Sequence, residues 1–368
     1  AQIKRGKMMI RRMIPLLLSM VLLTGCAAPV QIESKKQYTA TFLTLFDTVT
    51  TIVGYAQTEE EFQETTKKIH EELEVYHQLF DIYNDYEGVN NIKTINDNAG
   101  VAPVKVDKDI ISMLKFAKEW HDKSGGRMNI ALGSVLKVWH DAREEYDFYG
   151  TATLPDIQLL KEKAEHTDIN NMIIDEENST VFLTDSEMRL DVGAVAKGYA
   201  TEMICDALAE KYDNFLMSAG GNVRAHGAPK DDRNRWGIGI ENPMVDENWQ
   251  MLGGNADMAY FNTDMSLVCS GGYQRFMIID GQRYHHLVDP STLYPEEVYR
   301  GVAILCKDSG MADALSTTLF LMEPGVAMEF IETVDNAECV LIEMDGTTYK
   351  SSGTDKYLAS RGITAQTK

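Results

Sequence analysis

The chain has 368 residues, of which 56 are Asp or Glu and 35 are Lys or Arg, so its formal net charge is −21 at pH 7. So acidic a chain will not bind nucleic acid through non-specific contacts with phosphates, and this argues against that class of function. A phosphorylated ligand must therefore be held by a local positive feature or by a metal ion, against the overall field.

The first 25 residues have the pattern of a secretion signal. Basic residues precede a short apolar run at 13–23, which is far shorter than the roughly 20 apolar residues that a membrane-spanning helix needs. Cys26 follows Leu23-Thr24-Gly25, as in bacterial lipoprotein signals, whose cysteine is acylated and becomes the first mature residue. The alternative is an ordinary signal followed by a chance cysteine.

These features divide the chain into three segments. We predict a lipoprotein signal peptide at residues 1–25, a lipid-anchored tether at 26–37 and a single folded domain at 38–362. The predicted location is the extracytoplasmic face of a bacterial cell membrane, with Cys26 as the lipid attachment site. Loss of the signal, which is basic, would take the formal net charge from −21 to −26.

Hydrophobic periodicity predicts an α+β domain and not a regular alternation of strands and helices. Extended segments are predicted at residues 38–46, 48–55, 180–184, 215–218, 236–240, 266–270, 275–280, 302–306 and 339–343. Helices are predicted at residues 59–83, 107–122, 197–211 and 309–322, the second capped by Asp107 or Asp109. A short turn, Ile279-Asp280-Gly281-Gln282, lies between Phe276 and Tyr284, and such turns favour antiparallel pairing. The predicted fold therefore has mixed, largely antiparallel sheets packed with helices.

The cysteines that follow residue 26 are scattered and lack the spacing typical of a metal site. They lie mostly in apolar runs, at Cys205, Cys269, Cys306 and Cys339. We therefore expect buried free thiols at these positions.

Residues 190–200 run from a short strand through a glycine turn into a helix. Backbone N–H groups and a helix N-terminus then point to one place, where an anion such as a phosphate can bind. Lys197 adds a positive charge there, and Asp191 can accept a proton or hold a metal-bound water. The alternative is that the glycine turn serves packing alone.

Asp313 and Thr317 are four residues apart in the last long predicted helix, so both side-chain oxygens lie on one face. A carboxylate and a hydroxyl are oxygen ligands of the kind that Mg²⁺ prefers, with phosphate and water completing the octahedron. The alternative is an ordinary solvated helix face. The face expected to be buried carries Met311, Leu315, Leu319 and Met322.

His285 and His286 stand just before the turn Asp289-Pro290. Either histidine could be a metal ligand or a general base. Neighbouring residues on a strand point to opposite faces, so both cannot easily serve one site. We therefore expect one of the two to be structural.

These segments together resemble the ApbE family, the FAD:protein FMN transferases. The resemblance extends from about residue 44 onward, and its motifs occur in the family's order. They lie at residues 46–48, 124–126, 191–198, 218–222, 239–243, 270–271, 286–290 and 312–313. Departures from the family pattern are Phe46 (usually Met), residues 127–129 (often Ala-Phe-Asp), Gly272 (commonly Asp) and Leu293 (commonly Gly). The resemblance implies a single catalytic domain of the ApbE-like, T-fold-like kind.

The resemblance also implies roles for individual residues. Those expected to contact FAD are Phe46, Tyr83, Arg127, Met128, Asn129, Asp191, Lys197 and Val288. Those expected at the Mg²⁺ ion are Ala194 through its carbonyl oxygen, Asp313, Thr317 and, alongside them, Ser316.

The reaction implied by the resemblance is Mg²⁺-dependent transfer of FMN from FAD to a threonine hydroxyl of an acceptor protein, with release of AMP. The acceptor would be an extracytoplasmic electron-transfer flavoprotein or a subunit of a membrane oxidoreductase. The alternatives are a Mg²⁺-dependent FAD pyrophosphatase that gives FMN and AMP, and a non-enzymatic solute-binding lipoprotein.

Because the acceptor supplies the nucleophile, the chain itself needs only a base for the hydroxyl proton. We expect this base to be His286, with His285 as the alternative and Asp191 or a metal-bound hydroxide next in line. An imidazole with an unperturbed pKa near ~6.5 would make the rate rise with pH through that value.

Overall fold

The computed structural model describes residues 35–43, 45–273 and 275–367. The predicted signal peptide, Cys26 and most of the predicted tether lie outside the described residues. Among the residues that are described, no helix is both long enough and apolar enough to cross a membrane. The first strand begins at Lys36, inside the predicted tether, and the carbonyl oxygen of Ala365 accepts hydrogen bonds from the backbone of Asn234 and Arg235. Ordered structure therefore extends past both predicted bounds of the domain.

Among the described residues, the centre of the fold is an eight-stranded sheet in which every neighbouring pair of strands is antiparallel. In spatial order its strands are β1 (Lys36–Leu43), β2 (Val49–Ala56), β6 (Phe215–Ala219), β7 (Asn222–His226), β10 (Met265–Gly271), β13 (Tyr299–Cys306), β14 (Ala337–Glu343) and β15 (Thr348–Lys350). Smaller antiparallel sheets are formed by β3 (Val104–Lys105), β5 (Thr180–Leu183) and β4 (Met172–Asp175), by β8 (Trp236–Glu241) and β9 (Asn255–Phe261), and by β11 (Phe276–Ile279) and β12 (Gln282–His285). The predicted α+β class with largely antiparallel sheets is confirmed.

Helices pack against this sheet and connect its strands. They are α1 (Glu59–Phe80), α2 (Ile92–Asp97), α3 (Lys108–Lys123), α4 (Gly133–Tyr149), α5 (Ile157–Ala164), α6 (Ala196–Ala209), α7 (Ser309–Phe320) and α8 (Pro324–Ile331). Helix α3 begins after Asp107, whose side chain accepts a hydrogen bond from the backbone N–H of Asp109, so the first of the two predicted caps is the correct one. Helices α2, α4, α5 and α8 are absent from the predicted elements.

Alternate side chains of β13 face two different cores. Val302 and Ile304 pack in the cluster that contains α3 and α7, whereas Ala303 and Leu305 pack with β8 and β9 on the other side of the sheet. This period of two is expected for a strand that is buried on both faces. Ten of the twelve residues of α7 are buried, so polar side chains such as Asp313 and Ser316 are held in place by the surrounding packing.

Two predicted elements end earlier than expected, and each end has a local cause. Helix α1 stops at Phe80 and not at residue 83, because the side chain of Asp81 accepts hydrogen bonds from the backbone of Tyr83 and Asn84 and turns the chain. The extended segment 38–46 ends at Leu43, and Phe46 lies in a short 3₁₀ turn with φ of 52°. Phe46 and Tyr83 therefore lie outside the strand and the helix that were predicted to contain them or end at them.

The predicted buried residues of the last long helix are mostly confirmed. Leu315 and Leu319 are fully buried and Met322 is nearly so, whereas Met311 is only partly buried. The four cysteines of the described chain are free thiols, and Cys269 alone among them is incompletely buried. Burial raises the pKa of each of these thiols, which makes them poor nucleophiles.

Candidate functional site

A cavity of about 630 Å³ lies between α1, α4, α7, the start of α6 and the β11–β12 hairpin. The predicted site residues that line it are Phe46, Tyr83, Arg127, Asn129, Asp191, Ala194, Lys197, His285, His286, Val288, Asp313 and Thr317, so both histidines reach the cavity although they are adjacent in the sequence. They come from segments that are far apart in the sequence, so the fold brings them together. Two predicted residues, Met128 and Ser316, do not line the cavity, and Cys26 lies outside the described residues.

Asp313 lies on α7 against the first turn of α6. Its Oδ2 accepts a hydrogen bond of 2.8 Å from the backbone N–H of Gly198, and a Cβ atom at Gly198 would overlap the Asp313 side chain. Burial raises the pKa of Asp313, while the positive charge of Lys197 acts in the opposite direction. Thr317 follows one turn later on the same helix and also lines the cavity. The carboxylate and the hydroxyl thus share one side of α7, as their spacing predicts.

Asp191 stands at the start of the glycine turn that leads into α6. Its Oδ1 accepts a hydrogen bond of 2.9 Å from the backbone N–H of Gly193, which closes the turn. No described side chain caps α6, whose first residues line the cavity together with Ala194. Burial raises the pKa of Asp191, and the charges of His140 and Arg143 oppose that rise. An uncapped helix start beside Lys197 suits an anionic group.

The two adjacent histidines make different hydrogen bonds. His285 is 3% exposed, and both of its ring nitrogens are used: Nδ1 accepts from the backbone N–H of Leu287 at 3.1 Å and Nε2 donates to the carbonyl oxygen of Glu296 at 2.6 Å. His286 uses only Nδ1, which donates to the carbonyl oxygen of Arg275 at 3.3 Å. A carbonyl oxygen can only accept, so the lone pair of His286 is on Nε2, which makes no hydrogen bond with any described residue.

The environment lowers the pKa of both imidazoles. Burial is the largest cause in each case, and it brings the pKa of His285 to about 4 and that of His286 to about 3. The positive charges of Arg275 and Arg143 add to the effect on His286. The pKa of His286 therefore lies well below the unperturbed value, so its imidazole is neutral at physiological pH.

Two aromatic side chains flank the cavity. The ring of Phe46 contacts the edge of the His77 imidazole, with 5.5 Å between ring centroids, and its backbone N–H donates to Nδ1 of His77. The ring of Tyr83 lies over His140 at a centroid distance of 4.9 Å. Phe46 lies in a 3₁₀ turn and Tyr83 just beyond the end of α1, and aromatic rings at the edge of a cavity suit a planar ligand such as a flavin or an adenine.

Residues 127–129 divide between the cavity and the core. Arg127 and Asn129 line the cavity, and Nη1 of Arg127 donates to the carbonyl oxygen of Leu321 at 2.6 Å. Met128 is 1% exposed and packs in the large hydrophobic cluster around α3 and α7. The Met128 side chain therefore points away from the cavity, between two polar neighbours that line it, and its predicted contact with FAD is left to its backbone.

Ser316 is the other predicted site residue that the structure turns away from the cavity. It is fully buried, and its hydroxyl donates to the carbonyl oxygen of Asp313 at 2.8 Å while accepting from Ser270 at 2.7 Å. This hydroxyl therefore fastens α7 to β10 and is not presented to a ligand.

Helix α4 supplies cavity residues that the sequence analysis did not identify. Trp139, His140 and Arg143 line the cavity from this helix, and Arg275 lines it from the start of the hairpin. The signal for the helix is the spacing of Leu132, Leu136 and Trp139, which is helical. Together with Arg127 and Lys197, the two arginines give this acidic protein a cluster of four cations in a cavity that is also lined by the carboxylates of Asp81, Asp191 and Asp313.

The model of the ApbE family matches residues 46–341 of this sequence. The chain belongs to the ApbE family. Among its relatives, the FAD:protein FMN transferase of Treponema pallidum is 32% identical over 276 residues, which cover 71% of this chain and 73% of the relative. The FAD:protein FMN transferase of Klebsiella pneumoniae is 31% identical over 249 residues, which cover 66% of this chain and 73% of the relative. The sequence prediction of this family is confirmed.

Solved ApbE structures have the same fold. The crystal structure of the ApbE protein from Thermotoga maritima superposes with a TM-score of 0.74 at 26% identity, covering 86% of this chain and 97% of that one. The flavin transferase ApbE from Vibrio cholerae superposes with a TM-score of 0.71 at 22% identity, covering 88% and 99%. The ApbE fold therefore extends over most of this chain.

Proposed function

We propose that this chain transfers the FMN part of FAD to a threonine hydroxyl of an acceptor protein and releases AMP. The observation that carries the proposal is the cavity itself, in which Asp191, Lys197, His286, Asp313 and Thr317 meet in an ApbE fold. Relatives that match most of the chain are named FAD:protein FMN transferase. The volume and the aromatic walls suit a dinucleotide, and the positive side chains suit its phosphates.

The chemistry of the oxygen donors supports Mg²⁺ as the metal. Among the described residues, no three side chains of His, Cys, Asp or Glu are grouped closely enough to hold a metal ion by themselves. Mg²⁺ commonly uses one or two carboxylates together with substrate phosphates and water, which is what Asp313, Thr317 and the carbonyl oxygen of Ala194 can complete. One oxygen of Asp313 is held by Gly198, which leaves Oδ1 for the ion. When bound, Mg²⁺ would neutralise charge that develops on the pyrophosphate.

His286 fits the role of the base for the attacking hydroxyl. In the proposed step, the threonine oxygen forms a bond with the FMN-side phosphorus, the bond from that phosphorus to the AMP phosphate oxygen breaks, and Nε2 of His286 takes the hydroxyl proton. Its other nitrogen is held by the carbonyl oxygen of Arg275, which fixes the ring and its tautomer. Lys197 and the uncapped start of α6 would position the phosphates for in-line attack.

Incubation of the protein with FAD, Mg²⁺ and a candidate acceptor tests the proposal. Flavin fluorescence that stays with the acceptor in a denaturing gel is the expected result. Release of FMN and AMP without labelling would instead establish the pyrophosphatase, in which water replaces the threonine. The absence of both labelled acceptor and released FMN would favour the non-enzymatic lipoprotein.

We also propose that the protein works at the extracytoplasmic face of the cell membrane, anchored through an acylated Cys26. The support is the sequence alone: a basic and then apolar segment that ends in Leu-Thr-Gly-Cys. An acceptor in a membrane oxidoreductase or an extracytoplasmic electron-transfer protein would be within reach of an enzyme anchored in this way.

A further inference from the structure

Arg283 is a buried arginine without a counter-ion. It lies in β12 and is 2% exposed, and its Nε and Nη2 atoms are buried without a hydrogen-bond partner in the described part of the chain. Arg300, near the start of β13, has one nitrogen, Nη1, that is also buried without a hydrogen-bond partner in the described part of the chain. No described carboxylate forms an ion pair with either guanidinium, and Glu297 acts on Arg283 only from a distance. A charge buried in this way is costly unless something pairs with it.

Other arginines of this protein show what normally binds to the same atoms. Nε and Nη2 form one edge of the guanidinium, and in Arg224 this edge holds the two carboxylate oxygens of Glu202 at 3.1 and 3.3 Å. In Arg233 the same edge holds both oxygens of Asp231, at 2.8 and 2.6 Å. The spacing of these N–H groups matches a carboxylate or a phosphate. In Arg283 the Nε and Nη2 edge has no carboxylate partner among the described residues.

Trp249 lies close to both arginines, neither of which has a carboxylate partner in the described part of the chain. Its ring centroid lies 5.0 Å from Cζ of Arg283 and 5.6 Å from Cζ of Arg300. Nε of Arg300 donates to the carbonyl oxygen of Met344 at 3.4 Å. Arg283 also lies 6.0 Å from the ring of Phe276. The π face of an aromatic ring attracts a cation but accepts no in-plane hydrogen bond of the strength that an anion supplies. Trp249 also has φ of 62°, which is strained for a bulky residue, and strain of this kind concentrates at functional sites.

The electrostatics of the pair favour an anion. Burial lowers the pKa of Arg283, and the nearby positive charge of Arg300 lowers it further, while Glu297 acts in the opposite direction. Two like charges held together in a protein of net charge −21 repel each other, and a bound anion would relieve both the repulsion and the missing hydrogen bonds.

This cluster is separate from the flavin cavity. Along this part of the chain the cavity lining begins at Tyr284 and continues through His285 and His286. Tyr284 lines the cavity, whereas Arg283, Arg300 and Trp249 do not. An anion bound to the two arginines would thus lie outside the cavity lining, next to the strand that leads to His286.

We propose that Arg283, Arg300 and Trp249 form a binding site for one small oxyanion, a carboxylate or a phosphate group. The oxyanion accepts hydrogen bonds from Nε and Nη2 of Arg283 and from Nη1 of Arg300. The site does not depend on the proposed transferase activity, since none of its members contacts the cavity.

Calorimetric titration of the full chain with inorganic phosphate, and separately with acetate, tests this site at constant ionic strength. We expect saturable binding of at least one of the two anions, and the stronger binder identifies the group for which the site is built. Arg300→Gln and Arg283→Lys should each weaken binding by about tenfold or more, because each removes charge-assisted hydrogen bonds or the fork geometry.

Two control variants test whether anion binding depends on Arg283 and Arg300 and not on other cationic side chains. Arg233→Gln removes an arginine that also lies over a tryptophan but already has Asp231 as its partner, so binding should not change. Arg275→Gln removes a cation of the flavin cavity, and the binding assigned to Arg283 should survive it. The proposal is overturned if neither anion binds the wild-type protein, or if binding survives in folded Arg300→Gln and Arg283→Lys proteins. Loss of binding in Arg275→Gln alone would place the anion in the cavity and also overturn it.

Discussion

The backbone N–H of Gly198 and the carboxylate of Asp313 are joined by a hydrogen bond of 2.8 Å, which ties the first turn of α6 to α7. The bond requires close approach, and only a residue without Cβ permits it, since a Cβ atom would overlap Cβ of Asp313 and the carbonyl oxygen of Ser309. The glycine turn and the acidic helix, which are two separate motifs in the sequence, are therefore one structural unit. The same contact orients the carboxylate that we assign to Mg²⁺.

Gly198→Ala should damage both stability and transfer. The added methyl group forces α7 away from α6, and overpacking of this kind costs about 1–3 kcal/mol of unfolding free energy. Denaturant unfolding and the flavin-labelling assay measure the two effects. Gly325→Ala in α8 is the matched control, because its Cβ would meet nothing within 4 Å and alanine is the better helix former. Equal stability of the two variants would contradict the close contact.

Asp313→Asn should raise the Mg²⁺ concentration needed for half-maximal transfer by about tenfold or more, because an anionic ligand becomes neutral. Asparagine keeps an oxygen that can accept from Gly198, so the fold should be preserved. Asp313→Ala is a poorer test, since it would leave that buried N–H unpaired at a cost of about 1–3 kcal/mol. Thr317→Val should have a smaller effect, because water can replace a hydroxyl ligand. An unchanged Mg²⁺ dependence in Asp313→Asn would refute the ligand assignment.

Cys26→Ala should release the protein from membranes or leave it as an unprocessed precursor. The reason is that the thiol is the predicted site of acylation, and without a lipid no predicted segment is long enough to span the bilayer. Fractionation of cells, with mass spectrometry of the N-terminal peptide, measures both outcomes. Unchanged membrane partition together with an unmodified Cys26 in the wild type would show that the lipoprotein signal was misread.

Arg275→Gln should weaken the binding of FAD by about tenfold to a hundredfold, the usual worth of a hydrogen bond to a charged group. The removed cation lines the cavity, and the rest of this acidic protein offers the phosphates little attraction. Titration of FAD, followed by flavin fluorescence, measures the change. Arg361→Gln is the control, since Arg361 pairs with Asp355 outside the cavity. Equal loss of affinity in both variants would mean that only the total charge matters.

Local patterns in the sequence were sufficient for some parts of this site. The i,i+4 spacing of Asp313 and Thr317 placed both on one side of α7, and Asp280-Gly281 placed the hairpin that ends at the histidines. In both cases a short-range periodicity determines the geometry, so no knowledge of the tertiary fold is needed.

Other parts depend on contacts between distant segments. Burial raises the pKa of Asp191, in the glycine turn before α6, and the charge of Arg143 on α4 opposes that rise. Nothing near either residue in the sequence indicates that the two are close in space. Met128 and Ser316 are adjacent in the sequence to residues that line the cavity. Met128 nevertheless packs in the core, and Ser316 is hydrogen-bonded to β10. The family resemblance located the right segments, while the direction of each side chain became clear only from the packed structure.

His286→Asn should slow transfer to the acceptor by about 10²–10⁴, the usual contribution of a positioned general base, while FAD still binds. The pKa of His286 is lowered to about 3, so its Nε2 is already free of a proton at neutral pH. The rate of the wild-type enzyme should therefore show no rise near pH ~6.5, where an ordinary imidazole would titrate. Single-turnover labelling between about pH 5.5 and 7.5, one unit to either side of that value, measures this. A clear limb near pH ~6.5 that vanishes in His286→Asn would show that the imidazole is solvated as in water.

His285→Asn should act mainly on stability, because both ring nitrogens of His285 hold the backbone of the hairpin. The folded protein keeps this imidazole neutral, with its pKa lowered to about 4, whereas the unfolded chain binds a proton below pH ~6.5. As the pH falls below that value the unfolded state is favoured, by at most about 1.4 kcal/mol for each pH unit, until the folded pKa is reached. Denaturant unfolding at pH 7 and pH 5 should show a smaller loss of stability in His285→Asn than in the wild type. A stable but inactive His285→Asn enzyme, paired with a fast His286→Asn enzyme, would mean that the two histidines have exchanged roles.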